Sequence, residues 1–257
     1  MIFQSCGPEA DFSKLDCVDV DTMLAFGDCL QHLWKLKEGS VDMVLTDPPY
    51  SSGGLHASAR QKTTGEKYLG NTRYPDFGGD QRDQRAWYRW CLEWIGHCHH
   101  VLRDGGYMLA FCDWRQLPTL TDAMQGAGII WRGLIAWDKL NARAGHTGFF
   151  IPQCEFIVWG TKGPIEKRPP GSTALKGCYS IAPPHHTRRK HQTEKPLELL
   201  AKLIEAVPPG ALVLDPFCGS GSTGVAALQS GRKFLGCEAS PHYYDVAKKR
   251  LTEVLAH

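Results

Sequence analysis

The 257-residue chain has no apolar run near the ~18 residues that a membrane-spanning helix needs. Its N-terminus shows no basic stretch followed by an apolar one, so no secretory signal is read there. Ten cysteines are present, but none form a C-x-x-C pair or a zinc-ligand spacing. Several of them, such as Cys29, Cys112, Cys154 and Cys237, fall inside stretches that read as strands or helices. These absences argue against a membrane protein, a secreted disulfide scaffold and a cysteine-based zinc module. The expectation is a reduced, cytoplasmic protein with buried thiols. His97-Cys98-His99-His100 looks metal-like, but neighbours on a helix point in different directions, so no metal is expected. Nor is there an internal repeat.

What is present begins with ordinary bulk properties. Apolar content of 42% and charged content of 22% suit one large α/β domain with a full core. Within it, Thr46-Asp47-Pro48-Pro49-Tyr50 follows the apolar run Val41-Asp42-Met43-Val44-Leu45. Two consecutive prolines fix φ near −65° and remove two backbone donors. Pro49 also pushes Pro48 into an extended conformation. The result is a stiff, acceptor-rich loop with a carboxylate at one end and an aromatic ring at the other. Such a loop can hold a planar ring that bears an exocyclic amine. Tyr50 would stack on the ring while the Asp47 carboxylate and the Pro48 carbonyl accept its two N–H groups. The plainer alternative is a Pro-rich turn with Asp47 as a cap.

A second signal lies near the other end. Residues 212–224 run from the apolar Leu212-Val213-Leu214 through Asp215-Pro216-Phe217-Cys218 into Gly219-Ser220-Gly221-Ser222-Thr223-Gly224. The glycines satisfy G-x-G-x-x-G, and Glu238 follows a further apolar stretch, where it could accept from ribose hydroxyls. A nicotinamide or flavin site is one reading. Two features oppose it. Asp215 to Cys218 separate the strand from the glycines, and a carboxylate suits a cationic ligand better than a pyrophosphate. Only 33 residues follow Gly224, too few for two mononucleotide-binding halves. The remaining strands must come from upstream, which implies a permuted sheet.

Asp-Pro-Pro-Tyr at 47–50 and Asp-Pro-Phe-Cys-Gly-Ser-Gly-Ser-Thr-Gly at 215–224 resemble the catalytic and S-adenosylmethionine motifs of the DNA amino-methyltransferases. Catalytic motif first and cofactor motif last is the order of their β class. Gly27-Asp28, Val101 to Gly106, Glu155 to Gly160 and Thr193-Glu194-Lys195-Pro196-Leu197 match in the same order, so the resemblance covers most of residues 22–254. It implies a single methyltransferase domain over 1–257 with a doubly wound, mostly parallel, seven-stranded Rossmann-like sheet. It also implies transfer of methyl from S-adenosylmethionine to the exocyclic amine of a flipped base, adenine N6 ahead of cytosine N4. Asp47, Pro48, Pro49 and Tyr50 would be catalytic. Asp215, Pro216, Phe217, Gly219, Ser220 and Gly221 would line the methionine part of the cofactor. Glu238 would meet its ribose, Asp28 would lie near its adenine, and Thr193 and Lys195 would lie near its carboxylate. No metal is required. An RNA or protein-glutamine methyltransferase, a dinucleotide-dependent oxidoreductase and a catalytically dead DNA-binding protein are the alternatives from other classes.

Hydrophobic periodicity supports the architecture. Strands are expected at 41–46, 106–112, 129–137 and 154–160, with another ending at Gly27-Asp28. Helices are expected near 29–37, 115–126, 195–206, 222–230 and 241–254. Trp87, Trp90, Cys91, Trp94, Ile95 and Cys98 recur at helical spacing and read as core packing. Residues 51–82 read as a long loop.

Charge is unevenly spread. Residues 161–195 hold eight Lys/Arg against two acids, a net of +6 against −4 for the rest of the chain. Lys162, Lys167, Arg168, Arg188, Arg189 and Lys190 are candidate phosphate contacts on double-stranded DNA. A solvated basic loop is the alternative. This arm is shorter than the recognition region the resemblance implies. The loop at 51–82, or the second copy in a homodimer, would then supply further grip.

Overall fold

The run Val41–Leu45 places apolar side chains on both sides of an extended segment, which only a strand covered on two faces satisfies. The structure is a computed structural model that describes residues 15–19, 21–50, 82–140, 148, 150–165, 174–184 and 194–256. Its elements are β1 (Leu15–Asp19), β2 (Thr22–Phe26), α1 (Cys29–Leu33), β3 (Val41–Thr46), α2 (Gln84–Val101), β4 (Leu102–Cys112), α3 (Leu117–Gly126) and β5 (Ile130–Asp138). There follow β6 (Cys154–Thr161), β7 (Cys178–Ser180), α4 (Leu197–Ile204), β8 (Leu212–Asp215), α5 (Ser222–Gln229), β9 (Lys233–Glu238) and α6 (Pro241–Leu255). No described helix is long and apolar enough to cross a membrane.

The strands form one sheet in the order β1-β2-β9-β8-β3-β4-β6-β5-β7. Helices cover both faces. Along β3, Val44 enters the core layer shared with α2 and α3, through Trp87, Trp94, Ile95 and Leu120. Met43 and Leu45 enter the other layer, with Leu199, Leu203, Val225 and Leu251 of α4, α5 and α6. The period-two alternation of a strand thus feeds two cores at once.

The doubly wound architecture is as the sequence implies, but the sheet is larger and more mixed than a seven-stranded, mostly parallel one. Among the described residues it has nine strands. The run β2-β9-β8-β3-β4 is parallel, whereas β6 is antiparallel to both β4 and β5, and β1 is antiparallel to β2. The additional strands β1 and β7 have five and three residues and lie at the edges. Such short edge strands show little periodicity, and a buried apolar run reads alike in either direction.

The order of connection reverses between β8 and β3, which pair in parallel through Met43↔Val213 and Val44↔Leu214. Their carboxyl ends therefore open a crevice between them, the usual ligand position in an open α/β sheet. Asp42 fixes the opposite end. Its Oδ1 accepts from Arg103 Nε at 2.6 Å and its Oδ2 from the Leu212 amide at 2.8 Å, tying β3, β4 and β8 together.

Of the described cysteines, Cys29, Cys91, Cys98, Cys112, Cys218 and Cys237 are buried, Cys154 is half-buried and Cys178 is exposed; none is in a disulfide. No group of three or more His, Cys, Asp or Glu side chains converges on a point among the described residues. Of the expected loop at 51–82, residues 51–81 lie outside the described residues, as do 166–173 and 185–193 of the basic arm.

Candidate active site

The carboxyl ends of β2, β3, β8 and β9 open into one cavity of about 630 Å³. Its wall includes Asp28, Asp47, Pro48, Pro49, Tyr50, Trp90, Lys195, Asp215, Pro216, Phe217, Gly219, Ser220 and Glu238. Residues such as Thr46 and Asp215, 169 positions apart in the chain, meet there because β3 and β8 are sheet neighbours.

The loop leaving β3 is held rigidly. The indole Nε1 of Trp87, on α2, donates to the Pro49 carbonyl at 2.8 Å. The Tyr50 hydroxyl donates to Asp47 Oδ1. Lys195 Nζ donates to Asp47 Oδ2 at 2.6 Å and approaches the Tyr50 oxygen at 3.2 Å. Asp47 lies deep but opens onto the cavity. Burial raises its pKa, while the Lys195 ammonium and the Tyr50 hydroxyl pull in the other direction. For Lys195, burial alone would lower the pKa, but the Asp47 and Glu155 carboxylates outweigh it and the pKa stands raised. The site therefore holds a lysine cation against two carboxylates. Tyr50 is pushed well up by burial and by the charge of Asp47, so it remains a phenol.

On the β8 side, Asp215 is buried at the strand end. Its Oδ1 accepts from Thr46 Oγ1 at 2.7 Å and from the Phe217 amide at 3.1 Å. Burial nevertheless raises its pKa to about 6. After Phe217 the chain turns through Gly219 (φ 51°) and Gly221 (φ 81°), left-handed conformations that favour glycine. Arg250 of α6 braces this turn. It donates to the Ser220 carbonyl at 2.8 Å and to the Ser222 hydroxyl at 3.1 Å, and pairs with Glu194 at 2.9 Å. Glu238 spans the turn from β9. Its Oε2 accepts from the Gly219 amide at 2.9 Å and its Oε1 from the Ser240 amide at 2.8 Å. The Phe217 ring leans on Trp90 and Trp94, each 5.2 Å away between centroids, and the Arg82 guanidinium lies 4.5 Å from the centre of the Trp90 ring. The cavity thus combines an aromatic wall with several carboxylates, a set of acceptors and negative charge that fits a cationic ligand carrying a planar ring and hydroxyls.

A family model described as DNA methylase, of the N6/N4 type, matches residues 41–249. The chain belongs to the N6/N4 DNA methylase family. The putative methylase YubD of Escherichia coli (strain K12) is 32% identical over 231 residues, which is 89% of each chain. The Type II methyltransferase M2.MboI of Moraxella bovis is 26% identical over 245 residues, covering 89% of this chain and 86% of that one. Among solved structures, the M1.HpyAVI–SAM complex shares 25% identity with a TM-score of 0.66, over 90% of this chain and 98% of that one. The cytosine-N4-specific PvuII DNA methyltransferase has a TM-score of 0.68 at 15% identity, over 92% of each chain, a likeness of fold.

The methylase gathers most of the sequence-derived site residues into its cavity wall, with instructive exceptions. Lys195, expected near the cofactor carboxylate, bonds Asp47 and Tyr50 of the loop after β3. Gly221 is absent from the wall: a Cβ there would meet Ala247 of α6 at 3.1 Å, so this glycine serves helix packing. Gly224 likewise packs, its Cβ direction meeting Phe234 at 2.6 Å. Asp28 lines the cavity and also caps α1, accepting from the Leu30 amide at 3.0 Å. Lys162 lies at the far end of the sheet, where its backbone pairs with Gly105 and Gly106 and its ammonium reaches the His100 carbonyl at 3.3 Å. Thr193, Lys167, Arg168, Arg188, Arg189 and Lys190 lie outside the described residues. In the tryptophan stripe, Trp87, Cys91, Trp94, Ile95 and Cys98 are core, whereas half-buried Trp90 lines the cavity. Sequence reasoning missed Trp90, Trp87 as the loop anchor, and Glu155 beneath Lys195. The one signal for Glu155 was a lone acid opening an apolar strand.

Proposed function

We propose that the protein methylates an exocyclic amine of a flipped base in double-stranded DNA, adenine N6 ahead of cytosine N4. The observation that carries this reading is the Asp47 carboxylate, held at the carboxyl end of β3 on the wall of a cavity it shares with Asp215 and Glu238. A carboxylate at this position, followed by Pro-Pro-Tyr, matches the adenine pattern better than the serine typical of cytosine enzymes.

S-adenosylmethionine, when bound, supplies an electrophilic methyl group on a sulfonium. Asp215, Pro216, Phe217, Gly219 and Ser220 would hold it, with Glu238 at its ribose and Asp28 toward its adenine. The base amine is a poor nucleophile because its lone pair is delocalised into the ring. Asp47 and the Pro48 carbonyl accept its two N–H bonds, which directs the remaining lone pair at the methyl carbon. As the methyl left the sulfonium, the bonding pair would stay on sulfur as a neutral thioether, positive charge would build on the amine nitrogen beside Asp47, and Asp47 would take the released proton. Raised by burial, Asp47 is suited to that acceptance. Tyr50 supplies the stacking face for the extruded base. Most of the barrier reduction is positioning. Phosphate contacts are assigned to Lys167, Arg168, Arg188, Arg189 and Lys190.

The test is to incubate the full chain with duplex DNA and labelled S-adenosylmethionine, digest the DNA to nucleosides and identify the product. N6-methyladenine is expected. N4-methylcytosine would select the other base, and label on a ring carbon or on no nucleoside would overturn the reading.

A further inference from the structure

Behind the Asp47–Tyr50 loop, and outside the cavity wall, an ion-pair chain starts from two antiparallel strands. Glu155 is the second residue of β6 and Lys139 directly follows β5. Lys139 Nζ donates to Glu155 Oε1 at 3.1 Å, and Lys195 Nζ approaches Glu155 Oε2 at 3.4 Å. The Lys195 ammonium has three N–H donors. Two of them go to Asp47 Oδ2 at 2.6 Å and the Tyr50 hydroxyl oxygen at 3.2 Å, while Glu155 Oε2, 3.4 Å away, is an ion-pair partner without a hydrogen bond. Charges alternate along Lys139, Glu155, Lys195 and Asp47, so the cluster is neutral in a place where an unpaired charge would be costly. A lysine head is a point charge on a flexible stem, and its acceptors set its direction. Without Glu155, Lys195 loses its second carboxylate partner and keeps only its bonds to the loop.

We propose that Glu155, backed by Lys139, is a positioning residue for the methyl transfer, acting through Lys195 to hold the Asp47 carboxylate in one orientation. This rests on the functional reading above. Oδ2 of Asp47 is committed to Lys195, while Oδ1 is engaged by the Tyr50 hydroxyl. Tyr50 lines the cavity and can yield its bond when a base enters, so Oδ1 is the oxygen that receives the amine and its proton. Charged and titratable groups facing Asp47 are Lys195, Glu155, Tyr50, Cys112 and Asp215. Of these, Lys195 favours the ionised carboxylate, whereas Glu155 favours the protonated one.

The experiment compares Glu155→Gln, Glu155→Asp, Lys139→Gln and Asp47→Ala in the full-length protein. Thermal melting and calorimetric S-adenosylmethionine binding are run beside single-turnover pH profiles. Glu155→Gln should lower the rate by up to roughly 10²-fold, with DNA KM and cofactor affinity unchanged. Its acid limb should move to lower pH, because the cluster gains net positive charge and Asp47 becomes a weaker base. Lys139→Gln should move the same limb to higher pH, and Glu155→Asp should restore its position and part of the rate. Opposite displacements are not expected of residues with a merely structural role. Limbs that move together or not at all, or a loss lying wholly in KM, would overturn the proposal. If Glu155→Gln fails to fold, Lys139→Gln decides, since that side chain is partly exposed: an upward limb supports the proposal and an unmoved one sinks it. Methyl transfer retained by Asp47→Ala would overturn the functional reading itself. An inactive Asp47→Ala beside wild-type behaviour of the other variants would overturn only this inference.

Discussion

The Thr46 hydroxyl donates a 2.7 Å hydrogen bond to the Asp215 carboxylate, both groups being buried. These residues end the neighbouring strands β3 and β8, and they are 169 positions apart. The bond thus fastens the Asp-Pro-Pro-Tyr loop to the Gly-rich turn, and it also helps to hold a carboxylate that burial has raised to about pKa 6.

Thr46→Val keeps the side-chain shape and removes that donor. It should cost about 1–3 kcal/mol, the usual penalty for leaving a buried acceptor short of a partner. Denaturant unfolding at pH 7 measures it. The pH dependence has a definite sign. A carboxyl with a pKa of about 6 in the fold, against an ordinary 3.8, binds more protons when folded. Its contribution to stability is therefore fullest below about pH 4, declines as pH rises through 6 and is flat above. The interval corresponds to roughly 3 kcal/mol as an upper figure. Asp215→Asn should abolish this slope between pH 4 and 6. A slope unchanged in the variant would assign it to another group.

On the proposed reading, in which its carboxylate faces the base, Asp47→Ala should lower methyl transfer at least roughly 10³-fold while cofactor affinity stays near wild type. Parallel loss of binding and turnover would contradict that placement. Tyr50→Ala should weaken capture of the base by ~1–3 kcal/mol. Tyr50→Phe should be milder, losing the hydroxyl between Asp47 and Lys195 while keeping the stacking face.

Gly221→Val should act on the fold before it acts on the ligand. The position has φ 81°, and a Cβ would meet Ala247 of α6 at 3.1 Å. Strain of order 1–3 kcal/mol from the left-handed backbone adds to the overpacking. Thermal unfolding should show a clear drop without any ligand. A variant with wild-type melting and lost cofactor binding would instead place this side chain at the ligand.

Replacing Arg188, Arg189 and Lys190 together by Ala should make the plot of log affinity against log salt shallower. The expected change is roughly 0.9 for each phosphate no longer neutralised, so about 2–3 for the three. Cognate and unrelated duplexes should be affected alike if only phosphates are touched. An unchanged slope would move the DNA contacts elsewhere.

Much of the architecture was legible locally. The central strand at 41–46 falls where its apolar run lies, and the helices at 222–229 and 241–255 fall within a residue or so of their periodic stretches. Asp-Pro-Pro-Tyr and the Gly-rich turn could be read as chemistry because proline restricts the backbone and glycine frees it, each through its own covalent structure. The strands at 15–19 and 178–180 were not legible, since pairing rather than pattern makes so short a strand. Trp90 illustrates the limit within one helix: it shares the helical spacing of the buried tryptophans, yet it stays half-buried against Phe217 and lines the cavity.

The sequence by itself determined a two-faced α/β sheet, a permuted motif order and the groups proposed to meet base and cofactor. Covalent stiffness and hydrophobic periodicity act over a few residues and are written in those residues. Only the tertiary structure decided that Lys195 serves Asp47, that Glu155 stands behind it and that Gly221 faces a helix. Those outcomes depend on which strands become neighbours. An electrostatic partner or a packing clash is a property of distance in space, and no local pattern encodes it.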